Sequence, residues 1–95
     1  MSEKHILRLF VAGKTARSER AISDLELLCE RDLGGQYLVE VIDVLEDPSA
    51  ADRQKILATP TVIKELPLPV RRVIGALSQS EQVLVGLGLV RVGAE

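Results

Sequence analysis

Two short runs of branched apolar residues, Ile6–Ala12 and Tyr37–Val44, flank a single amphipathic stretch, and few folds accommodate that order. Each run is too short for a buried helix and rich enough in branched and aromatic side chains for a strand, with Gly13 closing the first. Between them Ala21, Ile22, Leu25, Leu28 and Cys29 fall at i, i+1, i+4, i+7 and i+8, while Glu19, Arg20, Asp24, Glu26 and Glu30 fill the remaining arc. That spacing predicts a helix over 17–32 with Cys29 on its buried stripe. Gly34-Gly35 supplies the left-handed backbone that favours a helix end. The second run is apolar almost without interruption, as in a strand covered on both faces. Strand, helix, strand in this order is a right-handed parallel unit.

Downstream, Asp47-Pro48 reads as an N-cap followed by proline at the first helical position, opening a short helix through Ser49–Leu57. Ala58-Thr59-Pro60-Thr61-Val62-Ile63 then sets a proline directly before a β-branched stretch, the kind of X-Pro bond at which cis peptides occur. This βαβα order, with a proline opening the third strand, resembles the thioredoxin-like fold. Thioredoxin chemistry needs a Cys-x-x-Cys after strand one, where a helix N-terminus lowers a thiol pKa. The loop here is Gly13-Lys14-Thr15-Ala16-Arg17-Ser18, which contains no sulfur. Cys29 reads as core packing, and Ser18 or Thr15 as a helix cap, because His5 is the single histidine and no spacing implies an oriented base. A redox enzyme is therefore not expected, and no catalytic residue is assigned.

At 95 residues the chain is expected to form one domain, 1–95. Phe10 and Tyr37 are the only aromatic residues and the net charge is −2, which speaks against a nucleic-acid surface. One cysteine and one distant histidine give no metal-site spacing, so neither metal nor other cofactor is expected. The longest apolar run, 83–90, is far below the roughly 20 residues that cross a bilayer. The N-terminus lacks a signal-peptide pattern, and a cytoplasmic location is expected.

Charge divides unevenly. Residues 1–47 carry six basic and ten acidic groups, whereas 48–95 carry six basic and four acidic. From 53 to 72, Arg53, Lys55, Lys64, Arg71 and Arg72 face a single acid, Glu65. This is either a solvated face or a docking patch for an acidic protein surface.

The second half supports two secondary structures. Val70, Val73, Ile74 and Leu77 have helical spacing with Pro69 at the start, yet Val70–Ile74 is also a β-branched run bounded by Pro69 and Gly75, with Pro67-Leu68-Pro69 as a hairpin turn. Over 78–92, Ser78-Gln79-Ser80-Glu81 is a capping box. Against a long helix there, Val83, Val85, Leu87 and Leu89 alternate, and Gly86 and Gly88 would together cost about 2 kcal/mol in a helix interior. Two competing packings of one sequence can differ by that much.

The runs Leu9-Phe10-Val11-Ala12-Gly13, Val41-Ile42-Asp43-Val44-Leu45, Ile56-Leu57-Ala58-Thr59-Pro60-Thr61, Pro69-Val70-Arg71-Arg72-x-Ile74-Gly75 and Val83-Leu84-Val85-Gly86-Leu87 together resemble the KaiB family over about residues 6–90. The resemblance implies a non-enzymatic clock protein that binds the N-terminal ATPase ring of the hexameric ATPase KaiC and modulates its phosphorylation cycle. It also implies a slow switch between a self-associated ground state, a tetramer or dimer of βαββααβ order, and a monomeric thioredoxin-like state of βαβαββα order. Residues 1–47 would be the constant half and 48–95 the switching half. Further implied partners are KaiA and histidine kinases with thioredoxin-like sensor domains.

By position, the family's ring-facing cations match Lys55, Lys64, Arg71, Arg72 and Arg20. Pro60, Pro67, Pro69, Gly75, Gly86 and Gly88 are candidate switch residues, the prolines because X-Pro isomerisation takes tens to hundreds of seconds. The chain departs from the family pattern at Leu68, where a proline is usual, at Ala76, where an Asp is usual, and at Gly88, where an acid is common. The balance between states is therefore not to be copied from cyanobacterial relatives, and a bacterial system lacking KaiA fits the departures. The alternative is a non-switching thioredoxin-like adaptor or sensor module that docks to a signalling kinase without redox activity.

Overall fold

The first two strands, β1 (His5–Val11) and β2 (Tyr37–Asp43), pair in parallel from His5↔Tyr37 to Val11↔Asp43, joined by helix α1 (Ala16–Asp32). The computed structural model describes residues 4–34 and 36–89. Helix α1 starts one residue before the predicted point because Thr15 is its N-cap, the hydroxyl accepting the Ser18 N–H at 3.1 Å. Gly34, with φ +63°, follows the helix end as expected; Gly35 lies outside the described residues. Asp47 caps helix α2 (Pro48–Gln54), its carboxylate accepting the Ala50 N–H at 3.2 Å.

In the second half both patterns are used, each in a different segment. Strands β3 (Thr61–Leu66) and β4 (Arg71–Ile74) form the antiparallel hairpin around Pro67-Leu68-Pro69, in register from Thr61↔Ile74 to Lys64↔Arg71. Helix α3 (Ser80–Gly86) follows. The strand prevails at 71–74 because β3 would otherwise leave an unpaired backbone edge beside a buried core. The helix prevails at 80–86 because Gly86 is its last residue and Gly88, at φ +68°, lies beyond it, so no glycine interrupts the helix interior. The predicted capping box is not made: Gln79 is the N-cap and gives no side-chain hydrogen bond. Residues 90–92 of that run lie outside the described residues.

The element order is thus βαβαββα in a four-stranded sheet of order β2-β1-β3-β4, the thioredoxin-like arrangement expected from the sequence. On one face Leu7, Leu9, Val11 and Val62 pack under α1 and α3, against Ala21, Leu25, Leu28, Cys29, Val83, Leu84 and Leu87. On the other face Phe10 and Ile63 pack with Ala50 of α2, and with Ile42, Val44 and Ile56. Beyond the reach of the short α2, Arg8 bridges three strands, 3.2 Å from Glu40 and 3.9 Å from Glu65. Among the described residues no helix is long and apolar enough to cross a membrane.

Candidate protein-binding surface

At the position of a thioredoxin redox loop, backbone capping replaces thiol chemistry. The Gly13 N–H donates to Asp43 Oδ1 at 2.8 Å, and the same oxygen accepts from the Leu45 N–H at 3.0 Å, which fixes the turn into α1. Ser18 is buried; its hydroxyl accepts from Thr15 Oγ1 at 3.2 Å and donates to the Ala12 carbonyl at 3.4 Å. Its proton goes to a backbone carbonyl, and His5 is at the far end of β1, against the Gln36 carbonyl at 3.1 Å, so no histidine faces it. Cys29 lies on the buried stripe predicted for it, and burial, with Glu26, Glu30 and Asp32 adding negative charge, pushes its thiol up to about 12. It is a packing residue held as the neutral thiol.

The five candidate cations occupy different settings. Lys55 and Arg72 meet where β4 passes the end of α2. The Arg72 guanidinium donates to the Gln54 carbonyl at 2.9 Å and the Lys55 carbonyl at 3.3 Å. It thereby satisfies carbonyls left over at a helix C-terminus, where a cation is also favoured by the helix dipole. Lys55 itself has φ +55°, the one positive φ at a non-glycine among the described residues, and its side chain is exposed. A left-handed lysine costs about 1–2 kcal/mol, and the Arg72 clamp holds it there.

Arg71 is exposed on the opposite face of β4. Lys64, expected on the same open surface, is buried at 1% exposure. The reason is register: pairing with Leu7 and Arg71 turns Lys64 to the face that α1 and α3 cover. Its Nζ lies 3.8 Å, and Arg71 Nε 3.7 Å, from the point that a Cβ at Gly88 would occupy. Arg20 is exposed on α1, beside Ala76–Ser78 and thus near the Ile74 end of β4, away from Arg71. Around the Lys55–Arg72 site Leu57 (93% exposed), Val70 and Ile74 add apolar surface.

The candidate switch residues lie along the path that links β3, β4 and α3. Thr59–Pro60, Leu66–Pro67 and Leu68–Pro69 are cis peptides, and the Gly75 N–H donates to the Pro60 carbonyl at 2.8 Å. Gly86 permits close approach of α3 to β4, since a Cβ there would be 2.6 Å from Val73 Cγ2. Two features escaped the sequence reading. The Arg72 clamp depends on a contact across 17 and 18 residues, for which no local pattern exists. Arg17 lines clefts beside Pro60; its spacing of three from Arg20 in the first turns of α1 was the available signal.

A βαβαββα scaffold with no sulfur in the redox loop, and with cations and apolar side chains exposed around β4, defines a domain of the thioredoxin-like class without the redox motif. The chain belongs to the KaiB family: the KaiB domain model matches residues 8–89. It is 49% identical over 90 residues to circadian clock protein KaiB3 of a Synechocystis species, covering 95% of this chain and 88% of that one. To the circadian clock oscillator protein KaiB of Synechococcus elongatus it is 54% identical over 85 residues, covering 90% and 83%. In structure it is similar to chloroplastic thioredoxin z, with TM-score 0.64 and 22% identity over 87% of this chain and 80% of that one; this likeness concerns the fold alone. The family identity makes the chain a clock-type regulator.

Proposed function

We propose that the chain is a non-enzymatic regulator that binds the N-terminal ATPase ring of a KaiC-type hexamer and modulates its phosphorylation cycle. The observation that carries this reading is the exposure of Lys55 and Arg71 beside β4 in a chain 54% identical to a clock oscillator KaiB. Neither side chain makes a hydrogen bond or ion pair among the described residues, so both are available to acidic groups on a partner. Arg72 supports Lys55 from behind, and Arg20 adds a separate contact. In this conformation Lys64 contributes through the fold.

The βαβαββα state is the form competent to bind, and residues 48–95 exchange slowly with a self-associated ground state while 1–47 stay constant. The two secondary structures supported by 69–77 and 78–89 are the physical support for that exchange. KaiA, or a histidine kinase with a thioredoxin-like sensor domain, is a further partner of the bound form. A pulldown of the KaiC homologue from the same organism, with ATP and with ADP, tests the proposal: nucleotide-dependent capture is expected. Absence of capture in both nucleotides, from a protein that remains one non-exchanging monomer, would favour a fixed adaptor for a kinase instead.

A further inference from the structure

Helix α1 and the segment after β4 enclose a second cationic feature, apart from Lys55 and Arg71. Arg17, Arg20 and Asp24 share one stripe of α1 and, with Ala21, form one wall of a cleft of about 110 Å³; Pro60, Ala76, Leu77 and Ser78 form the rest. Arg17 and Pro60 also line an adjoining cleft of about 200 Å³ that reaches Thr15 and Ser18 at the start of α1. Sharing two residues, the clefts make one trough.

Both guanidiniums are exposed and neither has a hydrogen bond or ion pair among the described residues, although Asp24 is one turn from Arg20. On the opposite wall the exposed Ala76 and Ser78 have amides with no acceptor among the described residues. The spacing selects the occupant. Residues three apart on a helix have Cβ atoms about 5–6 Å apart, and alternate residues of an extended peptide project to one side about 6.6 Å apart. Two carboxylates in a Glu-x-Glu pattern therefore match the spacing of Arg17 and Arg20, each able to accept a paired guanidinium contact.

We infer that this trough binds an extended acidic segment of a partner protein, with Arg17 and Arg20 reading two alternate carboxylates. The inference shares Arg20 with the proposed ring-binding set but not Lys55, Arg71 or Arg72, so Lys55→Glu separates the two readings. Fluorescence anisotropy is read with a short labelled peptide centred on Glu-Val-Glu and with its Gln-Val-Gln analogue, against the full chain and the variants Arg17→Glu, Arg20→Glu and Lys55→Glu. The acidic peptide is expected to bind saturably, about tenfold or more tighter than the neutral one. Either α1 reversal should weaken it by a similar factor, and Lys55→Glu should leave it unchanged. Melting curves check the folding of each variant, and Arg17→Gln with Arg20→Gln replaces any that fails. Equal binding of the neutral peptide, no saturable binding, or indifference to both arginine changes would overturn the inference. Loss of ring capture with peptide binding intact would fall on the proposed function alone.

Discussion

Reversing the charge at Lys55 and Arg71 together is expected to weaken binding to the KaiC-type ring about 100-fold without unfolding the protein. Both side chains are exposed and make no partner among the described residues, so little in the fold depends on them. A like-charge contact at an interface costs about 1.4 kcal/mol here, or tenfold, for each residue. Lys55 closes α2 and Arg71 opens β4, and the two share no partner, so their effects should nearly add. Lys55→Gly sharpens the test. Glycine adopts φ +55° without steric cost, so this variant should gain about 1 kcal/mol of stability and still lose about tenfold in affinity. Stability and binding moving in opposite directions would show that a strained lysine is held for its charge. Interferometry on the immobilised ring, together with thermal melts, provides both readings; undiminished binding by a folded double reversal would remove β4 from the interface.

Removing the Arg72 guanidinium is expected to act through the fold. Arg72→Ala abolishes donation to both Gln54 and Lys55 carbonyls. Charge-assisted hydrogen bonds contribute about 1.5–3 kcal/mol when shielded. Solvent exposure lowers the expected loss to about 1–2 kcal/mol. For a domain of this size each kcal/mol shifts Tm by roughly 4–8 °C. Arg72→Lys should recover only part of it, since one ammonium does not span two carbonyls as a planar fork does. Circular dichroism melts measure the shift. An unchanged melt for Arg72→Ala with lost ring binding would make Arg72 a direct contact and not a strut.

What could be read in advance was what local chemistry decides. The Thr15 and Asp47 caps and the α1 stripe with Cys29 each depend on neighbours a few residues away, and each is found; the βαβ unit, whose strands pair across 32 residues, follows from the order of its elements. Segment 70–74 could not be settled locally, because its choice of strand follows from the open edge of β3. Ser78 was overruled as a cap because the chain leaving β4 runs on to Gln79 before it can turn into α3. Lys64 was misplaced because Thr61–Lys64 is buried on both faces, and an uninterrupted buried run carries no alternation from which to infer which way its lysine points. The Arg72 clamp and the Arg17 trough are tertiary contacts between α2 and β4 and between α1 and the segment 76–78. No period of the sequence encodes the first, and of the second only the i, i+3 spacing of Arg17 and Arg20 is local.

Amide correlation spectra of the free protein, recorded across temperature and concentration and again with the isolated N-terminal ring, address the proposed switch most directly. Two slowly exchanging sets of signals are expected for residues 48–89 and one set for 5–43, with only the βαβαββα set shifting on the ring. A single set under every condition, unaffected by the ring, would contradict it.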